Sequence, residues 1–186
     1  MVDRVYPGNL QLSDSLPHLV EAAEETLHLD QEKRARTVVR MDAGGGSIKS
    51  INYLLKRGYQ VHCKDYSVRR AATFAKYVRE WVDDPRHPQR QLGWVAVKGV
   101  GYVREVRRLM MKWRKKNGQI CYSILLSTLE PNEVMQLLGQ SGELISDSQA
   151  VLVAYARLYD ERGGDVEIEI KESKQGLGLT KRNKKS

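Results

Sequence analysis

TVVRMDAGGGSIKSINYLLKRGYQVHCK, residues 37–64, decides the fold class. Thr37, Val38, Val39 and Met41 form a short β-prone run that Asp42 ends. Gly44, Gly45 and Gly46 make a permissive turn, and Ser47 is placed to cap the next element. From Ile48 the apolar period changes. Ile48, Ile51, Leu54 and Leu55 share one side of a helix over residues 48–57, and Gly58 closes it. Residues 59–64 (YQVHCK) return to a strand. Strand, turn, helix, strand is the unit of an α/β sheet. An acidic residue ending such a strand holds a functional position, because ligands gather beyond strand carboxyl ends.

Outward from this unit the pattern extends both ways. Residues 1–15 hold Pro7, Gly8 and Asn9 and read as loop or extended chain. Over 16–30, Leu16, Leu19, Val20, Ala23 and Leu27 fall on one helical face, with Pro17 in the first turn. Residues 33–36 are basic and exposed in character. The spacing over 68–82 predicts a helix with Arg69, Arg70, Lys76 and Arg79 on its wetter sides. A linker or turn over 83–91 comes next, where Pro85 and Pro88 stop the helix.

Residues 92–128 change texture. Val, Tyr, Trp and Ile recur, and Asn117–Gly118 is a strong hairpin turn, so the stretch reads as an antiparallel β unit. Its central part carries Arg104, Arg107, Arg108, Lys112, Arg114, Lys115 and Lys116. Pro131 opens a helical region, and 143–159 predicts a longer helix capped by Ser146 or Asp147. Residues 165–174 fit two patterns. VEIEI alternates as a strand would, while Glu167, Lys171 and Lys174 share a helical face. Lys181, Arg182, Lys184 and Lys185 make the tail basic, either solubilising or DNA-contacting.

Composition narrows the partner. Thirty-one Lys and Arg against 23 Asp and Glu leave a net charge of +8, which suits a polyanion, nucleic acid being the usual one. An acidic protein or a ribosomal neighbour would produce the same number. Cys63 and Cys121 lack metal-site spacing and imply a reduced compartment. His62 and Cys63 read as packing within a strand, and Trp81, Trp94 and Trp113 as core or hairpin packing. No leader sequence or long apolar segment is visible, so the expected location is cytoplasmic with no membrane partner.

RMDAGGG at 40–46 and LLKRGYQVHCK at 54–64 resemble the segment around the second catalytic aspartate of insertion-sequence DDE transposases of the IS4-like superfamily. The C-terminal part resembles the same group's Tyr, Arg, Glu, Lys signature. Tyr159 and Arg162 are separated by two residues, and Glu167 and Lys174 by six. Four residues lie between Arg162 and Glu167, one more than the usual pattern, which keeps Glu169 as the alternative third acid. The resemblance spans about residue 34 to residue 185 and more weakly 5–30. It implies an α/β chain with a partial ribonuclease H-like core. Residues 1–91 would form the first part of that core, 92–130 a β-rich insertion between the second Asp and the Glu, and 131–186 a helical part with a basic tail.

That resemblance also implies chemistry. Such enzymes cleave and join double-stranded DNA with two Mg²⁺ or Mn²⁺ ions held by carboxylates about 4 Å apart. Asp42 and Glu167 would be catalytic metal ligands. Tyr159, Arg162 and Lys174 would contact DNA beside the cut, and Arg104, Arg107, Arg108, Arg114, Lys115 and Lys116 would hold its backbone. The family commonly works as a homodimer on paired DNA ends. The first acid has no counterpart here, because none of Asp3, Asp14 and Asp30 comes after an apolar β run. The chain is therefore expected to be a truncated catalytic region, inactive alone. The alternative is a DNA-binding protein of transposase descent that performs no chemistry.

Overall fold

The computed structural model describes residues 12–96, 101–140 and 148–161. Among these residues a single six-stranded mixed sheet carries helices on both faces. The strands are β1 (Val38–Met41), β2 (Gln60–Lys64), β3 (Val82–Asp83), β4 (Arg90–Trp94), β5 (Arg107–Arg114) and β6 (Ile120–Ser127), in the order β1-β2-β6-β5-β4-β3. The helices are α1 (Leu12–Leu27), α2 (Gln31–Arg36), α3 (Ile48–Lys56), α4 (Val68–Phe74), α5 (Pro131–Leu137) and α6 (Ser148–Asp160).

β1 and β2 pair in parallel, from Val38 opposite Gln60 to Met41 opposite Cys63. Parallel neighbours need a crossover, and α3 supplies it. Ser47 caps α3 by accepting from the Ser50 amide at 3.1 Å, and Ile51, Leu54 and Leu55 bury against the sheet. Gly58 takes the positive φ of 94° that turns the chain from helix to strand. Beyond β2 the pairing becomes antiparallel, with Cys63 opposite Leu126. The β-rich run therefore continues the same sheet, and the Asn117–Gly118 turn joins β5 to β6 as the sequence implies. Gly118 there has φ 82°, and the Asn117 side chain accepts from the Gln119 amide at 3.1 Å.

The two-residue period of the strands sorts the core onto two faces. Val61, Cys63, Met110, Ile124 and Leu126 pack toward α1, α3 and α4. Leu92, Leu109, Met111 and Leu125 pack toward α5 and α6, around Leu152, Tyr155 and Leu158. On the first face Glu24 of α1 accepts from the Tyr59 hydroxyl at 2.9 Å, and from Arg57, with Arg34 at 3.6 Å. The Arg57 guanidinium holds the Glu24 carboxyl below its ordinary range, against the opposing effect of burial. One carboxylate thus ties α1, α2, α3 and the start of β2 together.

Two expectations need correction. The helix at 68–82 ends as α4 at Phe74, and one 3-10 turn at Ala75–Tyr77 comes after it. Val78 then bridges to Val95, and Val82 pairs with Leu92. The i, i+4 spacing of Val78 and Val82 fits a strand equally well, and pairing with β4 decides it. Gly93 allows the close crossing, since a Cβ there would collide with the Val78 side chain and the Glu80 carbonyl. The linker or turn read at 83–91 is the tight turn from β3 to β4, with Arg90 and Gln91 already in β4. Finally, α1 begins at Leu12, which moves Pro17 from the first turn into the helix, while Asp30 caps the short α2 by accepting from the Lys33 amide at 2.8 Å.

The three glycines after Asp42 are not equivalent. Gly46 lies against the backbone of residues 64–66, its carbonyl accepting from the Tyr66 amide at 3.2 Å. A Cβ at Gly46 would collide with the Lys64 carbonyl, and neither backbone can yield without parting β1 from β2. At Gly44 a Cβ would meet only the Asp42 carboxylate, at 3.1 Å. We expect Gly46→Ala to cost about 3 kcal/mol in urea denaturation and Gly44→Ala to cost less than about 1 kcal/mol. Equal costs would refute the close-packing account.

Candidate functional site

Asp42 succeeds β1 with extended backbone (φ −77°, ψ −174°), and its Oδ1 accepts from the Gly44 amide at 2.9 Å. The carboxylate is exposed, and its Oδ1 caps the turn. Its neighbour at the end of the next strand is occupied differently. Asp65 accepts from Arg70 Nε and Nη2 at 2.8 and 2.6 Å and from the Ser67 amide at 2.7 Å, so it is a buried structural pin.

Helix α6 reaches this edge of the sheet. Arg40 Nη1 donates to the Leu158 carbonyl at 3.1 Å, joining positions 118 residues apart. His62, two residues earlier on β2 than Lys64, lies under the same helix, 3.1 Å from the Tyr155 carbonyl and 3.0 Å from Ser127 Oγ. Strand alternation carries Lys64 to the same face, where its Nζ sits 4.7 Å from the centre of the Tyr159 ring. By the same alternation Asp42 joins Arg40 on that face. The carboxyl ends of the two parallel strands thus bring together Asp42, Lys64 and Tyr159, two of which the sequence reading named. Tyr159 is buried, only 2% exposed. Arg162, Glu167, its alternative Glu169 and Lys174 lie outside the described residues.

The basic residues of the β-rich run divide. Arg114, Lys115 and Lys116 are exposed at the β5–β6 hairpin. Arg107 is exposed but paired with Glu130. Arg104 donates to the Tyr59 carbonyl. Arg108 is 5% exposed, stacked 4.4 Å over the Phe74 ring, and burial pushes its pKa down. Arg107 and Arg108 are sequence neighbours on opposite faces of one strand, Arg107 paired with Glu130 and Arg108 covered by Phe74.

Two features were not legible as site residues. The turn between β3 and β4 clamps the end of α6. Arg90 donates to Asp160 through Nη2 at 2.6 Å and to buried Asp84 through Nε at 2.7 Å, and His87 stands 3.4 Å from Asp160. Burial raises the Asp160 carboxyl's pKa, but Arg90, Arg86 and His87 together hold it below its ordinary range. Beyond this clamp, Lys64, His87, Arg90 and Arg114 border a cleft of about 390 Å³ floored by Met111, Trp113 and Ser123. The sequence signal for it was slight: Ser123, one of two serines in the otherwise apolar run ICYSILLS at 120–127.

A hard divalent ion needs several oxygen ligands. Asp42 supplies one carboxylate, and among the described residues no three His, Cys, Asp or Glu side chains gather where they could hold an ion. The described donor set alone does not fit a two-metal centre, so no step is derived through one.

His62 sets the acid limit of this region. Burial lowers its pKa to about 4 from an ordinary 6.5, with the Tyr155 carbonyl opposing and Arg40 reinforcing the shift. A depressed imidazole favours the native state while neutral. Its contribution is complete above about pH 6.5 and is lost as pH falls toward 4, a change on the order of 3 kcal/mol. We expect denaturation curves of the protein to lose this stability between pH 7 and 4.5, and His62→Gln to show a correspondingly flatter dependence. Parallel pH profiles would refute the assignment. No family model, curated protein or solved structure matches the chain.

Proposed function

We propose that this chain is a double-stranded DNA-binding polypeptide of the ribonuclease H-like DDE transposase kind, with Asp42 one of its metal-binding carboxylates. The observation that carries the reading is the meeting of two distant parts of the motif at one sheet edge. Asp42 ends the first of two parallel strands, and Tyr159 in the last turn of α6 lies under Lys64 at the end of the second. Open α/β sheets bind ligands there. The net charge of +8 and the exposed Arg114, Lys115 and Lys116 supply the field a phosphate backbone needs. In this reading β1 and β2 belong to the ribonuclease H-like core, and the antiparallel strands are the β-rich insertion.

At this edge Asp42 is exposed while Asp65 is tied to Arg70 and the Ser67 amide, which favours a second reading, DNA binding without strand cleavage. One experiment separates the two. Duplex DNA is titrated with the protein over a range of salt, then incubated with Mn²⁺ and examined for nicks. Binding that weakens steeply with salt is expected in both cases. Replacing Arg114, Lys115 and Lys116 with Gln should reduce the slope of log K against log salt by about 2–3, roughly one per phosphate contact. Metal-dependent nicking lost in Asp42→Asn supports the catalytic reading, while binding without nicking supports the second. Absence of salt-dependent binding overturns both.

A further inference from the structure

Away from the Asp42 edge, α5, α6 and the β3–β4 turn border a groove of about 400 Å³. On α6, Ala150, Val153, Ala154 and Arg157 recur at i, i+3, i+4 and i+7, so they make one stripe along the helix. Met135 and Leu138 at the end of α5 face the stripe from one side, and Arg86 of the β3–β4 turn faces it from the other. The floor is aliphatic, and no acidic side chain among the described residues lines it.

One polar group in the wall is unmet. Arg86 donates through Nη2 to Asp160 at 2.5 Å, but its Nη1 is buried without a hydrogen-bond partner in the described structure. A buried N–H left unpaired is costly, so an occupant that brings a carbonyl oxygen beside Arg86 is favoured. Arg157 at the other end is already held by Glu161. The groove therefore asks for aliphatic side chains on a segment with exposed backbone acceptors.

The chain's own sequence just past α6 meets both requirements. Residues 165–170 (DVEIEI) alternate acidic and aliphatic side chains. In an extended segment Val166, Ile168 and Ile170 share one face, the acids share the other, and carbonyls point sideways. Gly163 and Gly164 precede this run and come soon after Glu161, which lets the chain reverse there. Lengths agree as well. Ala150 to Arg157 spans roughly 10 Å at about 1.5 Å per helical residue. Val166 to Ile170 covers roughly 13 Å at about 3.3 Å per extended residue.

We propose that residues 165–170 lie in this groove as an extended segment running back along α6. Val166, Ile168 and Ile170 rest on the aliphatic floor, and a backbone carbonyl accepts from Arg86 Nη1. Asp165, Glu167 and Glu169 then face water. The β3–β4 turn lies at the opposite edge of the sheet from β1, so a docked Glu167 is held apart from Asp42. This docking needs no DNA, and it favours DNA binding without strand cleavage over the catalytic reading.

The test uses the full chain carrying Cys121→Ser, Cys63 being buried. Val153→Cys with Ile168→Cys is oxidised mildly, and peptide mass spectrometry locates the disulfide. A link within one chain is expected, formed at least about tenfold faster than in the pair Asp42→Cys with Glu167→Cys. A faster link in the second pair overturns the docking and returns Glu167 to the side of Asp42. A link found only between chains makes a second copy the occupant, and slow linkage in both pairs removes this segment from the groove; each overturns the docking. Trypsin gives a second readout. Cleavage after Lys171 should be about tenfold faster in Ile168→Asp than in the unaltered chain, and within about twofold of it in Ile168→Val. Equal cleavage in all three overturns the docking. These results are read without DNA, so a failure here leaves the salt-dependent binding test standing.

Discussion

Strand β2 is the member on which the sheet depends. It pairs in parallel with β1 on one edge and antiparallel with β6 on the other, so it joins two kinds of sheet that close by different connections. Val61, His62 and Cys63 in its centre are fully buried, which requires cover on both faces at once. Helix α3 provides cover on one side and α6 on the other. Gly46 keeps the turn after β1 pressed against the end of β2. A side chain forcing that turn away from β2 would disturb the edge holding Asp42, Lys64 and Tyr159 without altering any exposed residue.

What could be read from the sequence was whatever local chemistry decides. The unit at 37–64 was legible because its period changes from two to 3.6 and back, with Ser47 and Gly58 marking the changes. The hairpin at Asn117–Gly118 was legible because a positive φ demands such residues. Long-range pairing was not. Nothing in ICYSILLS says that Leu126 meets Cys63, and nothing at Val78 says that Gly93 will lie beneath it. The site divides in the same way. Asp42 could be singled out as an acid at a strand end, whereas Arg108 looked as available as Arg107 until Phe74 covered it. The cleft of Lys64 and Ser123 is assembled by four strands and a turn, and no one segment carries its pattern.

Positive charge is abundant in this chain, but much of it is structural. Arg57 and Arg70 hold carboxylates that fasten helices to the sheet, and Arg90 fastens the end of α6. Arg108 and Lys112 lie over aromatic rings. Net charge therefore overstates the surface a polyanion would meet. Among the described residues, exposed cations lie at the β5–β6 hairpin, in Arg114, Lys115 and Lys116, and also around α4, in Arg69, Lys76 and Arg79.

The burial of Cys63 gives the fold an internal clock. Its thiol is fully enclosed, and burial, aided by the charge of Asp65, pushes its pKa to about 12. Thiolate is the reactive form, so native Cys63 is inert to alkylating reagents. Cys121, near the hairpin, is only partly buried. The same reagent would modify the two thiols on different timescales, Cys121 from the native state and Cys63 only when β2 separates from its neighbours. The slow phase would report the opening of the strand that joins the parallel and antiparallel halves of the sheet.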